Sequence, residues 1–161
     1  MNKVFLKTGA IVAMVLPLGC AQPPRPDLRA AMRPACGDGN CNIPVYVATD
    51  SASACIVRVG FDEVHIGNGK KPLVVWALEP VDTSDGYSYQ FKPTEGVFFK
   101  PPLPTPEDFI PGPPMGPDKF SWKSVHGRSG QFDYGVKVQR HVRPVGLWQD
   151  CPTLDPRIVN D

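Results

Sequence analysis

The chain has 161 residues, with 17 Lys or Arg against 16 Asp or Glu, so its formal net charge is only +1. That balance leaves no electrostatic footprint for nucleic acid and no field to steer a strongly charged partner. One domain is enough for this length.

The N-terminus reads as a targeting segment. Lys3 and Lys7 form a basic start, Gly9–Leu18 is uncharged and mostly apolar, and small residues follow at Gly19-Cys20-Ala21. These are the parts of a secretory signal. The apolar run is far shorter than the roughly 20 residues a spanning helix needs. No later window is longer, so the mature chain is expected not to be integral to a membrane. Leu16-Pro17-Leu18-Gly19-Cys20 resembles the lipobox of bacterial lipoproteins. The resemblance implies a signal peptide over 1–19, cleavage before Cys20, and a lipid anchor there, a diacylglyceryl group on the thiol and an acyl chain such as palmitate on the amine. Ala21 rather than Asp follows the cysteine, which implies an outer-membrane lipoprotein facing the periplasm. The sequence departs from the pattern at Pro17, where leucine is usual, and Leu16 stands one place early. Ordinary signal cleavage after Ala21, giving a soluble periplasmic protein, is the alternative. Removing residues 1–19 takes two lysines and no acid, leaving 15 basic residues against 16 acidic ones.

Residues 20–40 read as a tether, broken by Pro23, Pro24, Pro26 and Pro34 and solvated by Arg25, Asp27, Arg29 and Arg33. Asp27–Met32 is expected to make a turn or two of helix with Asp27 as N-cap. Either cleavage leaves Cys36, Cys41, Cys55 and Cys151, an even count that argues for two disulfides in an exported chain. No C-x2-C pair or neighbouring histidine completes a zinc set.

From Cys41 to Asp161 the apolar period is two. Asn42–Thr49 puts Ile43, Val45 and Val47 on one face; Cys55–Val59 follows; Val64–Ile66 is a short extended piece. Gly67-Asn68-Gly69 is a turn signal, and Leu73–Leu78, apolar on both faces, is expected to be a central strand. Tyr87, Tyr89 and Phe91 alternate, Gly96–Phe99 offers a short strand, and Phe120, Trp122 and Ser124 alternate on Lys119–Val125. The last clear strand is Phe132–His141, with Phe132, Tyr134, Val136 and Val138 on one face. The expected core comprises Ile43, Val45, Val57, Val75, Trp76, Tyr89, Trp122, Val136 and Val138. Short strands separated by turn chemistry predict an all-β fold, a small antiparallel β-sandwich of immunoglobulin-like or cupredoxin-like form; an open barrel is the alternative.

If the first two strands pair as a hairpin, Cys41 lies at its open end and Cys55 beside its turn, about 25 Å away at about 3.3 Å per residue. A disulfide needs Cα atoms within about 7 Å. The expected pairing is therefore Cys36–Cys41 and Cys55–Cys151. Were those strands in different sheets, Cys41–Cys151 and Cys36–Cys55 would be the rival.

The proline-rich stretch 100–117 interrupts the pattern. Each proline removes a ladder donor, so it is not an interior strand. Thr105-Pro106-Glu107-Asp108 reads as a cap with proline at the first helical position. Phe109, Ile110 and Met115 here, and Trp148 near Cys151, are the candidate partner-binding residues. The competing reading of the stretch is a cover over an edge strand.

The strands carrying Cys-Asn-Ile-Pro-Val, Val-Val-Trp-Ala-Leu and Tyr-Gly-Val-Lys-Val, with the ending Cys151–Asn160, resemble small exported β-domain proteins of Gram-negative bacteria. The resemblance implies a compact domain over most of 41–160 and brings no activity with it.

Catalytic and metal chemistry find little support. A type-1 copper site needs a histidine and usually a methionine close after its cysteine, and Cys151 has neither. His126-Gly127-Arg128-Ser129-Gly130, near Asp133, is not a nucleophile elbow, and its glycines equally suit a hairpin loop. Asp62 and Glu63 are adjacent and on a strand would face opposite ways. Glu107 and Asp108 are accounted for by a helix start. Cys36–Cys41 encloses Asp-Gly-Asn without the spaced acids of a calcium loop. The reading is a non-enzymatic envelope module, anchored to the membrane, that binds an unknown protein or cell-wall partner or is structural, with no cofactor. The alternative is an envelope enzyme or metal-binding protein with a dispersed site; a pocket joining at least two of Glu63, His65, His126, Asp133 and His141 would favour it.

Overall fold

The computed structural model describes residues 35–161 apart from 83, 85 and 144. The signal segment, Cys20 and the tether up to Pro34 lie outside the described residues. Strand pairing starts earlier than the expected domain boundary at Cys41, because β1 (Ala35–Cys36) already pairs with β4 (Glu63–Ile66). The other strands are β2 (Asn40–Thr49), β3 (Cys55–Val59), β5 (Leu73–Pro80), β6 (Ser88–Phe91), β7 (Val97–Phe99), β8 (Phe109–Pro111), β9 (Lys119–Ser124), β10 (Gly130–Val136), β11 (Val138–Val142), β12 (Leu147–Asp150) and β13 (Arg157–Asn160). Among the described residues no helix is long and apolar enough to cross a membrane.

The molecule is an all-β sandwich. One layer has the order β3-β2-β5-β9-β8. The facing layer holds β1-β4-β13-β10-β7 and, through the β10–β11 run broken at Lys137, the short sheet β12-β11-β6. Most pairings are antiparallel, but β2–β5, β1–β4 and β4–β13 are parallel. The period-two pattern cannot signal these, since alternation is the same whichever way a neighbour runs.

Alternation builds the core. In β2, Cys41, Ile43, Val45 and Val47 are buried while Asn42 is exposed. In the β10–β11 run Phe132, Tyr134, Val136 and Val138 are buried on one face. Trp76 and Tyr134 meet across the layers, edge to face with ring centroids 5.3 Å apart. Leu73–Pro80 is the middle strand of its sheet, as its two-sided apolarity predicts. Of the expected core, Tyr89 and Trp122 are only half-buried. Each carries a polar atom that needs a partner: Tyr89 Oη lies 2.9 Å from Thr49 Oγ1, and Trp122 Nε1 donates to the Val97 carbonyl at 3.0 Å.

The first two full-length strands do form a hairpin, with Thr49 opposite Cys55. Its turn is held by Asp50, whose carboxylate accepts from the amides of Ala52 and Ala54, with Ser53 left-handed at φ 61°. The disulfides are Cys36–Cys41 and Cys55–Cys151, each with Cα atoms 5.4 Å apart. Phe132–His141 is not the last strand. β13 follows it and lies at the centre of its layer with Ile158 fully buried. Residues 125–129 are not a hairpin loop either: they cross from β9 in one layer to β10 in the other.

Candidate functional site

The proline-rich stretch becomes part of the sheet at one point only. Asp108 accepts from the Thr105 amide and hydroxyl at 2.9 and 3.0 Å, and the Phe109 amide returns to the Thr105 carbonyl. That cap-like turn launches β8, the outermost strand of its layer, which pairs with β9. Pro111 ends β8 where a missing donor is tolerated, since edge strands do not need it. Asp108 is buried, and desolvation opposes its charge. The hydrogen bonds from Thr105 and from Arg128 outweigh that and hold its carboxyl below the usual carboxylate range.

Beyond Pro111 the chain leaves the ladder and bridges β9 to β6. The Gly112 amide donates to Ser121, Ser121 Oγ donates to the Pro113 carbonyl, and the Phe91 amide donates to the Pro117 carbonyl. Gly112 passes so close to Ser121 that a Cβ there would overlap it. Between this bridge and the sheet lies a groove of about 510 Å³. Phe91, Phe120 and Trp122 line it from the strands, and Pro113, Pro114 and Met115 from the bridge. Phe91 and Phe120 pack edge to face at 6.1 Å, and Gly96 sits beneath them with space for no side chain, its ideal Cβ 2.7 Å from Phe91. Trp122 is fixed by its bond to Val97 and by Phe99, 5.2 Å away. The aromatic wall is thus held in place before any ligand arrives. Lys92 and Lys119 also line the groove. Lys92 is tied to Asp150 at 2.8 Å, which raises its pKa and lowers that of Asp150, whereas Lys119 is exposed and has no ion-pair partner among the described residues.

The four candidate partner-binding residues part company. Phe109 is 3% exposed and packs on Phe99 and Phe132, so it belongs to the core and offers nothing to a partner. Ile110 points to solvent on β8, Met115 lines the groove, and Trp148 lies on the far edge strand β12, stacked at 5.0 Å on His141.

Of the dispersed His and acid residues, Glu63, His65 and His126 come together around Asp161, while Asp133 and His141 are engaged elsewhere. Glu63 and His65 occupy the outward positions of β4, whose Val64 and Ile66 are buried. His65 lies 2.8 Å from Glu63 and 3.1 Å from Asp161, and these acids hold its pKa above the usual histidine value. His126, left-handed at φ 57°, reaches only the Asp161 carbonyl, 3.2 Å away. Asp133 pairs with Arg157 on the next strand, and His141 lies on the short sheet beside Trp148. Among the described residues no group of three or more His, Cys, Asp or Glu side chains is placed to hold a metal ion.

The architecture defines a disulfide-bonded β-sandwich with an aromatic and proline-lined surface groove. Two disulfides are the mark of an oxidising, extracytoplasmic compartment. No family model matches the chain, and no curated protein is similar to it. Solved structures match it, among them two that align along most of its length. One is a cysteine protease inhibitor from Entamoeba histolytica, 11% identical over 76% of this chain and 97% of that one, with a TM-score of 0.33. The other is an inclusion body protein from Burkholderia cenocepacia, 7% identical over 78% of this chain and 98% of that one, with a TM-score of 0.36.

Proposed function

We propose that this chain is an exported, non-enzymatic binding module, held in the cell envelope by a lipid on Cys20, and that its working surface is the groove under the proline bridge. The groove carries the reading. It is apolar, it is pre-formed by hydrogen bonds on both of its walls, and an exposed unpaired lysine stands beside it. A rigid proline wall opposite three aromatics loses little conformational freedom on binding, the feature that raises affinity without added contacts.

The test separates the groove from the anchor. Wild-type protein, Met115→Asp, Lys119→Glu and a control, Lys71→Glu, would be used to capture partners from an envelope extract. Both groove variants should lose a partner that the wild type and the control retain; equal capture by all four refutes the groove. For the anchor, labelled palmitate should enter the wild type and not Cys20→Ala. Mass spectrometry finding an unmodified N-terminus at Gln22 overturns the lipoprotein half and leaves a soluble periplasmic module.

A further inference from the structure

The β10–β11 run ends in a charge on its core face. Phe132, Tyr134, Val136 and Val138 point inward, and so does the next residue in that period, Arg140, which is 7% exposed. A buried cation is normally paired with an acid, because leaving it unpaired inside a protein is costly. Arg140 has no carboxylate in reach among the described residues. Its Nε and Nη2 both donate to a single oxygen, Oε1 of Gln149, at 3.2 and 2.8 Å. Nη1 makes a long contact of 3.4 Å to Thr49 Oγ1, and the guanidinium lies 4.6 Å over the Tyr87 ring. The fork formed by Nε and Nη2 matches the two oxygens of a carboxylate, and here one neutral amide oxygen fills it.

The place of Gln149 matters. It sits on β12, an edge strand whose four residues are all exposed, directly across the ladder from Arg140. Its neighbours Leu147 and Trp148 are 65% and 44% exposed. The cap on the fork is therefore an exposed side chain, with the exposed Leu147 beside it on the same face of β12. The cation behind it is fixed by Tyr87 and Thr49 from two other strands' ends.

We propose that Arg140 is a carboxylate-recognition residue: an incoming carboxylate borne on an apolar group displaces the Gln149 amide, takes both N–H groups of the fork, and packs its apolar part on Leu147, which shares the Gln149 face of β12. The site lies apart from the groove and stands or falls separately from it. In the bonds to Gln149 only the donor is charged and two N–H groups share one oxygen, whereas a carboxylate adds the acceptor's charge and gives each N–H its own oxygen. The carboxylate belongs either to a free organic acid or to the C-terminus of a peptide, and the probes below tell these apart.

The test uses the nitrogen-15 signal of the Arg140 Nε–H group in the intact protein at fixed pH and ionic strength. Acetate and N-acetyl-leucine should each move it saturably, while sodium chloride and N-acetyl-leucinamide should not. N-acetyl-leucine and 4-methylpentanoate should both bind more tightly than acetate, and equal binding of all three overturns the apolar contact; tighter binding of N-acetyl-leucine than of 4-methylpentanoate assigns the carboxylate to a peptide terminus, and equal binding of those two assigns a free acid. Gln149→Ala removes the competing amide and should tighten binding by about tenfold or more, the worth of a hydrogen bond to a charged group. N-acetyl-leucine should also raise the melting temperature of wild type and of Met115→Asp, and not that of Arg140→Gln. Equal movement with chloride or with the leucinamide overturns the proposal, as does an unchanged half-saturation in Gln149→Ala.

Discussion

The two disulfides differ mainly in the length of chain they close, and that difference sets their worth. Cys36–Cys41 closes a separation of 5 residues and Cys55–Cys151 one of 96. In the loop-entropy account the first contributes about 2 kcal/mol and the second about 4.7 kcal/mol. Cys36, Cys41 and Cys151 are 7, 6 and 7% exposed and Cys55 is half-buried, so truncating the long-loop pair to alanine loses no more packing than truncating the short-loop pair. The gap between the two double variants then isolates the loop contribution, about 2.6 kcal/mol. Urea unfolding followed by tryptophan fluorescence reads it directly. With a slope of about 1.5 kcal/mol per molar, the midpoint of the Cys55→Ala, Cys151→Ala protein should fall about 1.7 M below that of the Cys36→Ala, Cys41→Ala protein. Equal midpoints, or the short-loop variant being the weaker, would refute the reasoning and point to structure retained in the unfolded chain.

Among the described residues the buried Tyr134 hydroxyl makes no well-formed hydrogen bond, its polar neighbour being the Trp76 indole, and burial pushes its phenol up, so Tyr134→Phe should change stability by less than about 1 kcal/mol or raise it, as a denaturation midpoint will show. Asp108→Ala should cost about 2 kcal/mol, since it strips acceptors from the Thr105 amide and hydroxyl, whereas Arg128→Ala should cost under about 1 kcal/mol because that guanidinium is 56% exposed; equal losses would contradict the burial argument. Asp108 ionises more readily folded than unfolded, so its contribution is full above the unfolded pKa and fades as pH falls through the folded one; Asp108→Asn should flatten the acid side of a stability profile. His65 is shifted the other way: Glu63 and Asp161 favour its protonated form, so its contribution is full below about 6.5 and is lost as pH rises through its folded pKa, and a proton titration should show Glu63→Gln bringing that pKa down.

What could be read from the sequence was whatever a local period or a covalent distance decides. Alternation in Asn42–Thr49 and Cys55–Val59, with a turn between, suits an antiparallel hairpin without requiring one; given the hairpin that the structure has, its length decides the disulfide pairing by reach. The central place of Leu73–Pro80 follows from its having no polar face. β13 was not legible because four residues, Arg-Ile-Val-Asn, are too few to establish a period, and its parallel partner β4 comes from more than ninety residues earlier in the chain. The groove was half legible. A run rich in proline announces a segment outside the ladder, and Met115 in it faces the cavity. Of its aromatic wall, Trp122 is expected in the core, because alternation assigns a residue to a face without revealing that a loop will stand off and leave space between.

Arg140 shows the same limit from the other side. The period that places Val136 and Val138 inside continues to position 140, so the sequence already assigns a cation to the core face. A search for chemistry organised around histidines, acids and nucleophiles passes over it, because an arginine in a strand is ordinarily a solvated edge residue. What makes it conspicuous is its partners among the described residues: a ring and a hydroxyl, one shared amide oxygen and no acid. A sandwich that merely needed closing at this end would be better served by a leucine, since replacing a buried charge by an apolar side chain of similar volume is often neutral or stabilising. Arg140→Met should therefore leave the fold as stable as wild type or more so in the absence of any carboxylate. Should that variant instead lose several kcal/mol, about the cost of breaking a buried ion pair, the guanidinium is a structural tie between β11, β12 and the end of β2, and its spare hydrogen-bonding capacity serves the fold alone.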